Sequence, residues 1–239
     1  MNDQRRTGLL LALVAALISG VAVYLNGEAV RRFPSPTVYT TGKNLLAGIV
    51  LVAIAIGVRS SGRVQRDVPA PLTARHRWGL VAVAAIGGAM PVVLFFEGLS
   101  RATSCDAAFL HKTLVVWVAI LAVTVLRERV TGLHIAAVAA LMVGQVAIAD
   151  GVGSLRPGLG EAMILTATIC WAVELIVVKR LVVDVAPSTV GAARIGGGSL
   201  LLIAWLALTG RLGDLAGLSG SQWAWLVLTG TVLSAVVSV

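Results

Sequence analysis

Residues 8–53 read GLLLALVAALISGVAVYLNGEAVRRFPSPTVYTTGKNLLAGIVLVA, and residues 160–207 read GEAMILTATICWAVELIVVKRLVVDVAPSTVGAARIGGGSLLLIAWLA. With one residue's slip in the connecting loop, Pro36 falls on Pro187 and Lys43 on Arg194. Each copy is two apolar segments around a short turn, and each carries one cation in its second segment. An apolar chain that repeats its own beginning in this way is the sequence sign of a membrane transporter built from two related halves.

The composition of the 239 residues agrees with a chain dissolved in a bilayer: 58% are hydrophobic and 13% charged, with a mean hydropathy of +0.94. Soluble domains carry about 25% charged residues, so a soluble globular domain is excluded. The net charge of +8 would suit a nucleic-acid partner, but the cations are dispersed among short loops and only 5% of residues are aromatic. No basic patch interleaved with stacking rings is present. Cys105 and Cys170 lie in apolar segments, away from any CxxC pair or His cluster. They are expected to be buried small hydrophobes rather than a disulfide or a metal site. The first apolar stretch is long enough to span and lacks a cleavage site, so it is expected to be retained.

A span needs about 20 apolar residues. Eight segments qualify, at roughly 7–26, 37–57, 77–97, 103–126, 131–149, 159–179, 188–209 and 221–239. The loops are short except for residues 59–76, which hold Arg59, Arg63, Arg66 and Arg75 with Pro69 and Pro71. With the N-terminus in the cytoplasm, the inner loops hold eleven cations and the outer loops five, while Lys43, Lys112 and Arg194 lie within spans. The positive-inside rule therefore predicts a multi-pass protein of the cell membrane with its N-terminus cytoplasmic. The second repeat starts five spans after the first. An odd number of spans inverts the halves about a pseudo-two-fold axis in the membrane plane, with a shared site near the midplane.

Residues 95–149 read FFEGLSRATSCDAAFLHKTLVVWVAILAVTVLRERVTGLHIAAVAALMVGQVAIA. Span three ends in an aromatic, a small residue and Leu; span four starts with small residues and ends at Glu128; the apolar span five carries Gly144 near its end. This pattern resembles the third-to-fifth-span signature of the EamA family in the drug/metabolite transporter superfamily. Lys43 and Arg194 match the cation that this family places early in the second span of each repeat. The resemblance covers nearly the whole chain and implies an all-α, ten-span plan of two five-span repeats, in exporters or exchangers of small metabolites. On that plan residues 1–150 form a first five-span repeat, and residues 158–239 a second, truncated one of three spans. Spans nine and ten, and a second Glu matching Glu128, do not occur before Val239. A fragment of a ten-span transporter and a non-transporting membrane subunit stand as alternatives.

Ionisable groups at membrane depth are costly and usually face the protein interior or a wet cavity. Lys43 lies about 9 Å inside the outer end of span two, and Arg194 about 9 Å inside the opposite end of span seven. Glu174 lies about 22 Å along span six, near the level of Arg194, and is predicted to pair with it. That pair reads either as a structural salt bridge or as a proton- or substrate-responsive switch. The outer half holds Lys43, Glu97, Asp106, His111 and Lys112. His111 and Lys112 are adjacent and point about 100° apart, so only one faces the cavity. His111 is either a hydrogen-bonded interior residue or a proton carrier, since imidazole titrates near neutral pH. Trp117 and Trp171 line the cavity or face lipid, whereas Trp78, Trp223 and Trp225 read as interface anchors. Glu128, between Arg127 and Arg129, is expected to balance local charge and fix its loop. Gly87 and Gly88 in span three, and Gly191, Gly196, Gly197 and Gly198 in span seven, predict close helix packing, with a bend at Pro91.

The leading functional expectation is a secondary transporter of small organic solutes working by alternating access. Lys43, Arg194, Glu174, His111, Trp117 and Trp171 are its candidate substrate-binding residues, and Glu174 and His111 its candidate proton-coupling groups. No GxxxxGK[ST] motif is present to drive it with ATP. No HExxH, GxSxG or matched pair of intramembrane Asp residues supports an enzyme. No cofactor and no metal are expected. The partners expected are a small-molecule substrate and the lipid bilayer, without nucleic acid, and a homodimer is left open. The substrate, the transport direction and the coupling ion are set by details of a site that vary on a shared scaffold.

Overall fold

The computed structural model describes residues 3–60, 72–128, 131–148 and 158–233, and every regular element among them is helical. The helices are α1 (Asp3–Val30), α2 (Pro36–Ser60), α3 (Ala74–Leu99), α4 (Ser104–Thr124), α5 (Gly132–Ile148), α6 (Leu159–Leu181), α7 (Pro187–Leu208) and the short α8 (Leu212–Ala216). The last, α9, opens as Gly220–Val227 and runs on as a π-helical turn over Leu228–Leu233. Among the described residues α3, α4, α6 and α7 are long and apolar enough to cross a membrane, which makes this a multi-pass membrane protein. Arg63, Arg66, Pro69, Pro71, Arg129, Arg156 and the stretch after residue 233 lie outside the described residues.

Large apolar side chains such as Leu17, Ile135, Val143, Leu200 and Leu208 point outward. That is the arrangement expected where lipid rather than water covers the surface, with each helix satisfying its own backbone. Local chemistry sets the helix ends. Pro36 and Pro187, matched in the repeat, open α2 and α7. An absent N–H costs nothing in a helix's first turn, and the ring presets φ. Thr103 accepts from the N–H of Asp106 and donates its hydroxyl to the Asp106 carboxylate, capping α4. Ser219 and Gln222 form a capping box at the start of α9. Gly210, at φ +69°, closes α7: its N–H bonds the carbonyl of Ala207 while that of Arg211 bonds Leu206, a Schellman closure.

The C-terminal half of α3 lies along α6, which also carries α4; α7 crosses α3 and α2, and the π turn of α9 rests on α2. At one end of the bundle Gln222 donates to the carbonyl of Arg32, Arg31 to that of Ala102, and Thr37 to Glu97. At the other, His76 meets Asp184, Lys179 meets Glu128, and Arg180 donates to the carbonyl of Val125. These contacts thus fall into two groups, one at each end of the bundle.

The sequence predicts a bend at Pro91; the irregularity lies just before it, as a π-helical turn over Ala84–Ala89. A second π turn, Ala193–Gly197, interrupts α7 and packs against the first. Such turns insert an extra residue and re-aim the side chains around it. The backbones nearly touch there. A methyl group on Gly88 would lie 2.0 Å from the carbonyl oxygen of Arg194 and 2.9 Å from Cα of Gly198. Other glycines expected at helix contacts are not: a methyl on Gly191 or Gly196 would meet nothing within 4 Å, and the same holds for Gly144 in α5. The cysteines are also corrected, since Cys105 is exposed and Cys170 partly so. In a membrane an apolar segment need not be buried in protein, because lipid tails are as apolar as leucine.

Gly88→Ala must force the backbones of α3 and α7 apart and is expected to cost about 1–3 kcal/mol. Gly144→Ala, with open space and a better helix former, is expected to be neutral or mildly stabilising. Thermal melts of the two variants in the same detergent check this, and equal shifts would contradict the close crossing.

Candidate functional site

At the crossing of α3, α6 and α7 a carboxylate is buried where the sequence is otherwise apolar. Glu174 is 2% exposed, and its Oε1 accepts from Nε of Arg194 at 2.8 Å. Arg194 comes from the π turn of α7 and keeps about half of its side chain exposed (48%). Gly87 makes room for the carboxylate, because a methyl there would lie 2.2 Å from Cδ of Glu174. The second carboxylate oxygen, Oε2, has no partner among the described residues, and neither has Oγ of Ser199, one turn beyond Arg194.

Pro91 explains the next contact. It has no N–H to offer the carbonyl of Gly87 four residues back. The indole Nε1 of Trp171 donates to that carbonyl instead, at 3.1 Å. Trp171 and Glu174 lie three apart on α6 and so share a face. One turn of α6 therefore presents both groups to the π turn of α3.

A second polar nest forms where α1 meets α2. Lys43 Nζ donates to Oδ1 of Asn26 at 2.8 Å, and the hydroxyl of Tyr39 donates to the same oxygen at 2.6 Å. The Asn26 amide in turn donates to the carbonyl of Ala22. Lys43 Nζ also lies 5.0 Å from the centre of the Phe96 ring, a cation–π contact. From Phe96 a file of rings leads inward: Phe96 packs edge-on against Phe95, and Phe95 against both His111 and Trp171. His111 and Trp171 also touch each other.

The structure thus brings together Glu174 and Arg194, and joins His111 and Trp171 in one ring cluster that touches neither charge of the pair directly. Lys43 stands in its own nest. Asp106 is spent on the cap of α4, and Glu97 pairs with Arg101 at 2.6 Å. Neither carboxylate reaches Lys43, so the outer cluster of charges suggested by the sequence is not one site. Trp117 makes no ring contact with the cluster among the described residues. Trp225 is partly buried beneath the Arg32 guanidinium, whereas Trp78 and Trp223 are exposed. Among the described residues Glu128 pairs with Lys179 at the end of α6, while its neighbour Arg129 lies outside them. Asn26, Tyr39 and Ser199 escaped the sequence reading. Asn26 was assigned to the edge of a span ending at residue 26, but α1 continues to Val30 and holds it inside the helix. Among the described residues no group of three or more His, Cys, Asp or Glu side chains could hold a metal ion.

Crossing apolar helices around a buried ion pair and an interior lysine define a polytopic membrane protein with charge at its centre. The chain matches the EamA-like transporter family over residues 6–149 and 158–239, and it belongs to that family. This is a family of transporters rather than enzymes, and the protein is accordingly a membrane transporter of small molecules. No curated protein matches the sequence. A crystal structure described only as that of a protein superposes with a TM-score of 0.60 at 19% identity, covering 94% of this chain and 78% of that one. At that identity it shows the fold alone.

Trp171→Phe keeps the ring but strands the carbonyl of Gly87, with an expected cost of about 1–2 kcal/mol. Pro91→Ala returns a backbone N–H to that carbonyl, so the same substitution is expected to cost less in the Pro91→Ala background. A double-mutant cycle by thermal unfolding in detergent measures the difference, and equal costs in the two backgrounds would refute the link.

Proposed function

We propose that the protein is a secondary transporter, an exporter or exchanger of small organic metabolites, that works by alternating access across the cell membrane. The observation that carries this is the Glu174–Arg194 pair. A carboxylate 2% exposed is held by a single guanidinium nitrogen, while its other oxygen has no partner among the described residues and Arg194 stays half-exposed. A purely structural pair gains most by satisfying every donor and acceptor it buries. A pair with spare valence on both partners is suited to exchange: a proton on Glu174 weakens its hold on Arg194, whose free edge then takes a substrate anion.

On this reading the eight apolar segments are eight spans, in two inverted repeats over residues 1–150 and 158–239, with the N-terminus cytoplasmic. Lys43 and Arg194 face the substrate from the two repeats. His111 serves as a second proton-coupling candidate, and Trp171 and Trp117 line the path. The π turns of α3 and α7, meeting at Gly88, support a rocking motion, because a helix with an extra residue inserted can bend there at little cost.

Purified protein in nanodiscs is titrated with amino acids, nucleosides, sugars and lipophilic cations at pH 6 and pH 8, following tryptophan fluorescence. Arg194→Ala and Glu174→Gln are measured in parallel. At least one ligand class is expected to give a saturable signal that Arg194→Ala weakens by about tenfold or more, and whose pH dependence Glu174→Gln removes. A signal unchanged in both variants would remove the pair from the transport site and leave it structural.

A further inference from the structure

The two cations matched by the repeat do not have equivalent surroundings. The backbones do correspond: Gly88 of α3 crosses the carbonyl of Arg194, and Gly230 of α9 crosses the carbonyl of Lys43, where a methyl would lie 3.0 Å from the oxygen. The counter-charge does not. With Gly8 on Gly160, Glu174 falls on Ala22, so the first copy has no carboxylate where the second has one. The carbonyl of Ala22 takes the amide of Asn26, and Asn26 offers Lys43 a neutral oxygen already shared with Tyr39. Among the described residues no carboxylate lies within 4.0 Å of the Lys43 ammonium.

An ammonium has three N–H donors. One goes to Asn26, and the face toward Phe96 is a π contact, so at least one donor has no acceptor among the described residues. One turn earlier on the same side of α2 is Thr40, whose fully buried hydroxyl also has no partner among the described residues. The side chain of Lys43 itself is only partly covered. We propose that Lys43 is the receptor for the substrate's charged group, and that this group is a carboxylate on a small organic solute. Arg194 is by contrast held in reserve by its own internal anion. A single negative charge matches the charge of the Lys43 ammonium, whereas a dianionic phosphate would leave net charge buried. The inference rests on the transporter reading and assigns its substrate class.

The test uses the purified protein in phosphatidylcholine nanodiscs, titrated calorimetrically with benzoate and with benzylamine, which has the same ring and the opposite charge. Wild type is expected to bind benzoate saturably. Asn26→Asp installs beside Lys43 the carboxylate that Arg194 already has, at the loss of the amide's bond to the Ala22 carbonyl, and is expected to weaken benzoate by about tenfold or more without weakening benzylamine. Lys43→Met is expected to abolish benzoate binding and Lys43→Arg to retain it. If Lys43→Met fails to fold, Asn26→Asp and Lys43→Arg still decide. Benzoate binding unchanged in Asn26→Asp overturns the proposal, as does a wild type that binds benzylamine alone. Repeating the titration with phosphatidylglycerol in the nanodisc separates the other source of anionic oxygen: benzoate binding that appears only without the anionic lipid assigns Lys43 to a headgroup and also overturns it. Proteoliposomes that exchange some solute equally well with wild type and Asn26→Asp would refute the carboxylate site while leaving the transporter standing. Proteoliposomes that exchange none of the solutes would sink the transporter reading itself.

Discussion

A carboxylate removed from water inside an apolar bundle is the constraint to which the centre of this structure answers. Glu174 is all but inaccessible, and an ionised carboxylate at depth is tolerated only with a cation beside it. Three features of neighbouring helices serve that need. Arg194 supplies the cation from α7. Gly87 removes the side chain that would occupy the carboxylate's place, and the π turns of α3 and α7 bring their backbones close enough to enclose it. Pro91 belongs to the same arrangement, since the carbonyl it leaves free is taken by Trp171, one turn before Glu174 on α6. Glycine, proline and tryptophan at this crossing are therefore linked to one charge, although none of them touches Arg194 through a side-chain bond.

Much of this was legible in the sequence because the bilayer leaves few choices. An apolar run of about 20 residues has to be helical, and the predicted segment 77–97 becomes Ala74–Leu99 and 188–209 becomes Pro187–Leu208. Glu174 and Arg194 could be paired on paper because helical rise converts residue number into depth, and both lie on one hairpin. Other features depend on facts that spacing does not carry. Three residues of one type in a row, Gly196, Gly197 and Gly198, look alike in sequence. Yet a methyl on Gly198 would collide with Gly88 and one on Gly196 would meet nothing, because helix rotation alone decides which side faces a neighbour. The π turns shift that rotation by an inserted residue, which no 3.6-residue count anticipates. Asn26 was lost for a simpler reason: α1 runs four residues past the predicted end of its span and carries the amide into the interior.

The ring file from Phe96 to Trp171 gives the two polar nests a material connection. Lys43 sits over Phe96, Phe96 packs on Phe95, Phe95 on Trp171, and the Trp171 indole is bonded to the carbonyl of the glycine that backs Glu174. Rings in edge contact are close-packed and shift together rather than independently. Contiguity alone does not establish coupling. It does identify the side chains through which an occupied Lys43 would have to act on Arg194, and it places His111 between two of those rings rather than beside either charge.

An internal repeat supplies backbone symmetry at no cost to chemical difference. The crossings at Gly88 and Gly230 place a backbone against the carbonyl of the matched cation in both halves, so both cations are held at their positions by the same kind of contact. What distinguishes them is one position on the preceding helix, Glu174 in one copy and Ala22 in the other. A site neutral in its resting state must break an internal bond before it accepts an anion, whereas a site left cationic accepts one directly and bears the cost of its bare charge while empty. The exchange of one carboxylate for a methyl is the smallest change that produces that difference without moving a helix.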